Sequence, residues 1–236
     1  MNSVSSVIKR VCLAKTAGRP AIKYRIQLID DSLVEGSVEF MEKRLMASRK
    51  SHMTITSHLG SSSDKEAVDE FKSLWRKYFS EGISVAALLE DDFGNQGPVI
   101  ACNVLYKESM SETEFRTDPM RLLDQTMADA KKHVDVLKTF NCADYINSGG
   151  FSVARDFQSQ GIATELLRAR AEVCRLTNNP VSANVFTGPH TQKAAAKTGF
   201  QTLSELDLRK YRIDDRIVFP EADGWPTIKF MAQKYF

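Results

Sequence analysis

No run of apolar residues in this 236-residue sequence is long enough to cross a bilayer, and the N-terminal residues lack the apolar core of a signal peptide. A cytoplasmic protein without a membrane partner is the expectation. Long basic runs are missing too. The net charge is +2 with acids and bases interleaved, which argues against nucleic acid or an anionic surface as the main partner. Cysteine is sparse: Cys12, Cys102, Cys142 and Cys174 stand far apart. None forms a Cys-x-x-Cys pair or sits at zinc-ligand spacing to a histidine, so free thiols and no metal are expected. There is no internal repeat, low-complexity tract or interdomain linker. Residues 1–20 read as a polar lead-in closed by Pro20, and residues 21–236 as a single domain.

What the sequence does have centres on Ser148 to Ala169. Phe151 and Val153 alternate with Ser152 as in a strand. Gln158-Ser159-Gln160-Gly161-Ile162-Ala163 then forms a polar turn with one glycine, and Ile162, Leu166 and Leu167 open a helix that can run to Leu176. The first N–H groups of such a helix lack internal partners and point into the turn. With the helix dipole they make an anion site suited to a phosphate or pyrophosphate.

Elsewhere periodicity places the elements. Ile22, Tyr24, Ile26 and Leu28 alternate as a strand, and Ser32 with Glu35 has capping-box spacing ahead of a helical stripe of Val34, Val38, Met41 and Leu45. A second such box, Ser63 with Glu66, precedes the stripe Val68, Phe71, Trp75 and Phe79. Residues 83–89 and 99–106 read as a β-hairpin around a Gly/Pro/Asn-rich turn. Asp118-Pro119 starts a helix sustained towards Phe140. Strands follow at 181–186, 200–208 and in the tail around Ile228, with a short helix from Thr191 that stops at Gly199. The order β, α, α, β-hairpin, α, β, α, β, α, β, β predicts an α/β protein with a mixed central sheet covered on both faces.

The turn at Gln158 to Ala163 resembles motif A of the GCN5-related N-acetyltransferases, with its Gln/Arg-x-x-Gly-x-Gly/Ala pattern, and the order of elements is similar to that superfamily's. The resemblance implies a single-domain acyl-CoA N-acyltransferase fold with a mixed, mostly antiparallel sheet. Three further stretches resemble the insect arylalkylamine N-acetyltransferase branch: Glu81-Gly82-Ile83-Ser84-Val85-Ala86-Ala87, then Thr187-Gly188 with Thr191, Lys193 and Gly199-Phe200, and the long helix from Asp118. Two departures stand beside them. The branch's glutamate after the first helix is missing, where this chain reads Leu45-Met46-Ala47-Ser48-Arg49-Lys50-Ser51-His52. Its serine is replaced by Thr191.

The resemblance implies acetyl-CoA as cosubstrate, a small-molecule amine as acceptor and direct attack in a ternary complex, with the protein a monomer or homodimer. It places coenzyme contacts at Phe151, Ser152, Val153, Gln158, Ser159, Gln160, Gly161, Ile162, Ala163 and Lys193. Arg155 and Lys197 could also meet a phosphate, or be solvated surface charges. Acetyl transfer needs a base near neutral pKa for the ammonium and a proton donor for the thiolate. His52, in the loop where the glutamate is missing, is the first choice for the base. His190 is second and Asp144 third. Thr191 is the candidate proton donor, or else a helix cap. Gly149-Gly150 could bulge the strand and re-aim a backbone donor, or only relieve crowding. A longer acyl chain, a polyamine acceptor, or coenzyme binding without catalysis would each fit the same residues.

Overall fold

The computed structural model describes residues 6–14, 21–48, 54–222 and 226–236; the expectation placed on His52 lies outside them. The elements are β1 (Val7–Leu13), β2 (Ile22–Leu28), α1 (Asp31–Ser48), α2 (Ile55–His58), α3 (Lys65–Phe79), β3 (Val85–Glu90), β4 (Gln96–Lys107), α4 (Asp118–Lys131), α5 (Val136–Phe140), β5 (Ile146–Val153), α6 (Ile162–Leu176), β6 (Val181–Phe186), α7 (Pro189–Thr198), β7 (Gln201–Asp207), β8 (Arg212–Ile213), β9 (Arg216–Ile217) and β10 (Thr227–Lys234).

Eight strands make one mixed sheet in the order β1-β2-β3-β4-β5-β6-β10-β7, and β8 pairs with β9 apart from it. Every neighbouring pair in the large sheet is antiparallel except β5 with β6. The period of two along the central strands divides the core. Ala86, Leu88, Cys102 and Val104 pack with α1 and α3 on one face. Val85, Ala87, Ala101 and Leu105 pack with α6 on the other. A charged residue in either set would have to be buried, which is why β3 and β4 read as near-continuous apolar runs.

Four features depart from the sequence reading. β1 lies within the stretch read as lead-in and pairs with β2 at the sheet edge. Its alternation is broken by Lys9 and Arg10, which reach out to Glu165 and Glu90. The α1 cap is Asp30, whose carboxylate accepts from the backbone and hydroxyl of Ser32, while Glu35 pairs with Arg76 of α3. The α3 cap is Asp64, accepting from Ala67 N–H, one residue beyond the expected Ser63. A carboxylate accepts these N–H bonds with its full charge at the positive end of the helix, so it displaces the neighbouring serine. Finally, the single helix expected from Asp118 to Phe140 is two. Asp135 accepts from Lys138 N–H and starts α5 afresh, and Asn141 ends α5 at a φ of 51°. The short side chain of Asp135 competes for a backbone N–H that a continuous helix would use.

Candidate active site

β5 and β6 meet at one register pair, Ile146 with Ser182, and part beyond it. Below the split lies a buried polar layer. Arg170 of α6 is fully buried, donating to the side-chain oxygens of Asn103 (2.9 Å), Ser182 (3.1 Å) and Asn184 (2.6 Å). Its guanidinium also lies over the rings of Phe186 and Phe200, at 5.9 and 5.6 Å. No carboxylate among the described residues is a hydrogen-bond partner of it, and desolvation pushes its pKa down to about 10. Arg170 therefore joins β4 to β6 where the strands' own hydrogen bonds stop.

Gly149 is a bulge. Val104 faces Gly150 and Leu105 faces Ser148, so Gly149 is the extra residue of β5. Crowding is equally real there. A Cβ on Gly149 would sit 2.6 Å from the Tyr78 ring, and one on Gly150 would sit 2.7 Å from the end of Met41. The indole N–H of Trp75 donates to the Gly149 carbonyl at 3.1 Å and holds the bulge in place. The strand is both bulged and crowded at the glycine pair.

On the α6 face, the turn before the helix carries two left-handed residues, Ser159 at φ 60° and Gly161 at φ 83°. The Gln158 side chain donates to Val153 O and that of Gln160 to Asp156 O, so the two glutamines brace the loop. The first α6 hydrogen bond runs from Glu165 N–H to Gly161 O, which leaves the N–H groups of Ile162, Ala163 and Thr164 without helical acceptors. A Cβ on Gly161 would meet nothing within 4 Å, so the turn is open on that side. The Ile162 side chain is buried in the core, and its backbone alone faces the turn. Arg155, Lys193 and Lys197 are exposed and form no ion pair among the described residues.

On the opposite face a cleft of about 420 Å³ lies between α1, α3 and α4 and the parted strands, within the range of small-molecule sites. Phe151, Ser152 and Thr191 line it. The Thr191 hydroxyl donates to Gly188 O at 2.8 Å, an intrahelical bond at the start of α7 that leaves its lone pairs free. Val153 does not line the cleft; it pairs with Ala101 and packs in the core on the α6 side. Stacked pairs form a wall: Phe71 on Trp75 (5.4 Å) and Tyr78 on Tyr106 (4.0 Å). Burial raises the Tyr78 phenol to about 12.

The other expected bases are elsewhere. His190 is exposed on the outer side of α7 and does not line the cleft. Asp144 accepts from Ser109 and from Tyr145 N–H and fastens a loop. His58 bonds the Val218 carbonyl at 2.8 Å and packs on Phe219. The charged groups lining the cleft are instead Arg44, Asp124 and Lys131. Lys131 is paired with Glu108 at 2.9 Å. Asp124 makes no hydrogen bond or ion pair among the described residues. Desolvation raises its carboxyl; Lys131 opposes that and Glu108 adds to it. The sequence reading missed both Arg44 and Asp124. Each sits at the edge of an apolar helical stripe, one between Met41 and Leu45, the other beside Leu123 and one turn after Met120, and that spacing was the available signal.

No protein-family profile and no curated protein sequence matches the chain. Solved structures do. Arylalkylamine N-acetyltransferase 7 of the yellow fever mosquito Aedes aegypti, so assigned, is 25% identical, with 98% of this chain and 95% of that one covered at a TM-score of 0.85. Arylalkylamine N-acetyltransferase 2 of the same mosquito (13% identity, 90% and 99% covered, TM-score 0.73) shares the fold. So does a Drosophila melanogaster polyamine N-acetyltransferase that forms N-acetylagmatine (12%, 89% and 99%, 0.71). A mixed sheet that parts beside an open helix N-terminus, with this likeness over nearly its whole length, gives the chain the fold of the GCN5-related N-acetyltransferases. Within that superfamily it is similar to the insect arylalkylamine N-acetyltransferases.

Proposed function

We propose that the protein transfers an acetyl group from acetyl-CoA to a small-molecule amine by direct attack in a ternary complex. The observation that carries this is the split between β5 and β6, which has an open helix N-terminus on one face of the sheet and an aromatic-walled cleft on the other. The turn fits a pyrophosphate: three backbone N–H groups have no helical acceptor, Gly161 leaves the approach open, and Arg155, three residues before Gln158, is exposed and forms no ion pair among the described residues. When bound, the coenzyme supplies a thioester whose carbonyl carbon accepts the amine and whose sulfur leaves as thiolate.

The chain's residues do the rest. The bulged strand around Phe151 offers backbone donors at the edge that β6 abandons. The aromatic wall and the buried Trp75–Gly149 contact hold the acceptor against that edge, and proximity supplies much of the acceleration. Asp124, its carboxyl raised by burial, takes the ammonium proton. Thr191, at the mouth of the split, returns a proton to the leaving sulfur. His52, the base expected from the sequence, is the control.

Thiol release from acetyl-CoA, followed over a panel of amines, tests the reading. Release with at least one amine is expected. In Asp124→Asn, kcat/KM should fall by on the order of 10²–10⁴-fold and lose its acidic limb. Coenzyme binding without turnover of any amine would leave a sensor or scaffold instead. A full loss in His52→Ala with an unchanged Asp124→Asn would move the base to the loop after α1.

A further inference from the structure

Among the described residues the cleft carries a cation and an anion that form no ion pair. Arg44 projects from the last turns of α1 and lines the cleft beside Ser152 of β5. Its Nε–H reaches the Ser152 hydroxyl at 3.4 Å, a long contact, and it forms no ion pair among the described residues. A guanidinium has five N–H donors in a planar fork, so most of Arg44's donors have no protein acceptor. The chain after it offers none: from Leu45 to Ser63 the sequence contains no acid. A half-buried cation at this place works against a substrate that is only cationic, because like charges in a cleft repel more strongly than in water. Asp124 on α4 opens onto the same cleft and makes no hydrogen bond or ion pair among the described residues, with Lys131, itself paired to Glu108, the nearby cation that acts on it.

Together these two groups select an acceptor with both charges. Resting on the acetyl-transfer reading above, we propose that the acceptor is an amino acid with a large apolar side chain, its carboxylate held by the Arg44 fork and its ammonium by Asp124. Arg with a carboxylate forms two parallel charge-assisted bonds, which fixes the acceptor's orientation as well as its charge. The Phe71–Trp75 and Tyr78–Tyr106 pairs give the side chain an apolar wall. The reaction stays balanced: the ammonium gives one proton to Asp124 before attack, the N–C bond forms as the C–S bond breaks, and the second proton that the nitrogen sheds on becoming an amide passes through Thr191 to the thiolate.

The test uses phenylalanine and 2-phenylethylamine, which differ only in the carboxylate. Thiol release from acetyl-CoA gives kcat/KM for each. Calorimetry of each compound on the full-length protein saturated with coenzyme A gives binding without turnover. Phenylalanine should be preferred by at least about tenfold, the size of one hydrogen-bonded contact to a charged group. In Arg44→Gln that preference should collapse to near unity through KM, and Arg44→Lys should restore part of it. The acetyl-CoA KM should be unchanged in both variants. Preference for 2-phenylethylamine overturns the proposal and leaves acetyl transfer standing. So does an Arg44→Gln variant that lowers kcat equally for both compounds at unchanged KM, which would place Arg44 on the thioester. Arg44-dependent binding of phenylalanine without release from any amine would leave an amino-acid site but overturn the transfer reading, and with it the amino acid's role as acceptor. Failure of both compounds to bind or react overturns the proposal outright.

Discussion

Gly161 stands at φ 83° at the mouth of α6, where a Cβ would meet nothing. These two facts separate backbone strain from obstruction. Any L-residue there costs about 1–2 kcal/mol for the left-handed conformation, and no neighbour has to move. Gly161→Ala and Gly161→Glu should therefore lose similar stability in a urea melt and both remain folded. Only the glutamate puts a negative charge where the N–H groups of Ile162 to Thr164 point. Acetyl-CoA affinity should fall modestly in the alanine variant and at least 100-fold, on the order of 3 kcal/mol, in the glutamate variant. Equal affinities in the two variants would remove the turn from coenzyme binding. At this scale the sequence was informative where a residue's type dictates its backbone, as with Gly161, and less so where its role depends on a distant partner. Arg170 sits in the apolar stripe of α6 with Leu166 and Val173, and that spacing alone marks a buried charge. Its partners Asn103, Ser182 and Asn184 come from β4 and β6 and could not be paired with it before the fold was known.

The elements were legible wherever a single periodicity ruled, as in β2, α3, α6 and β6. Ends were misplaced where two polar residues competed for the same N–H groups, as Asp64 does with Ser63. The approach to α4 is built in the same way from farther off. Glu70, buried on α3, accepts from the backbone N–H groups of Arg116 and Thr117 and from the Thr117 hydroxyl. It thus fixes the chain just before Asp118-Pro119 and sets the α4 wall of the cleft. Burial alone would raise the Glu70 carboxyl, but the bonds from Arg116 and Thr117 outweigh it and hold the pKa below its ordinary 4.5. A depressed carboxyl pKa gives stability that is fully present above the unfolded value and lost as pH falls through the folded one. Glu70→Gln should cost about 1–3 kcal/mol at pH 7, with the difference from the parent shrinking as pH drops from about 5 to below 4. A difference that stayed constant over that interval in urea titrations would show that the ionised carboxylate does not hold the loop.

For the whole molecule, the split divides the sheet into β1 to β5 on one side and β6, β10 and β7 on the other. A single register pair, the Ser182 hydroxyl donating to the Ile146 carbonyl at 2.9 Å, and the Arg170 bonds join the two sets across the sheet. The sequence order pointed to a mixed sheet but not to this parting, because strand separation depends on how α6 and β6 pack, not on the period of either. A ligand lodged between β5 and β6 touches both sides and replaces hydrogen bonds the strands do not make, so it should act on the junction more than on either core. Binding of acetyl-CoA to the native state alone should add about 2.7 kcal/mol at a concentration 100 times Kd. For a chain of this length that is a rise in Tm of roughly 5–11 °C. Hydrogen exchange should locate the gain: amides of residues 147–153, 160–164 and 183–187 should slow, while β2 and β3, each flanked by a paired strand on both edges, should change little. Exchange slowed evenly across all strands would mean that the coenzyme stabilises the fold without entering the split. An unchanged Tm at millimolar acetyl-CoA would mean that it does not bind there at all.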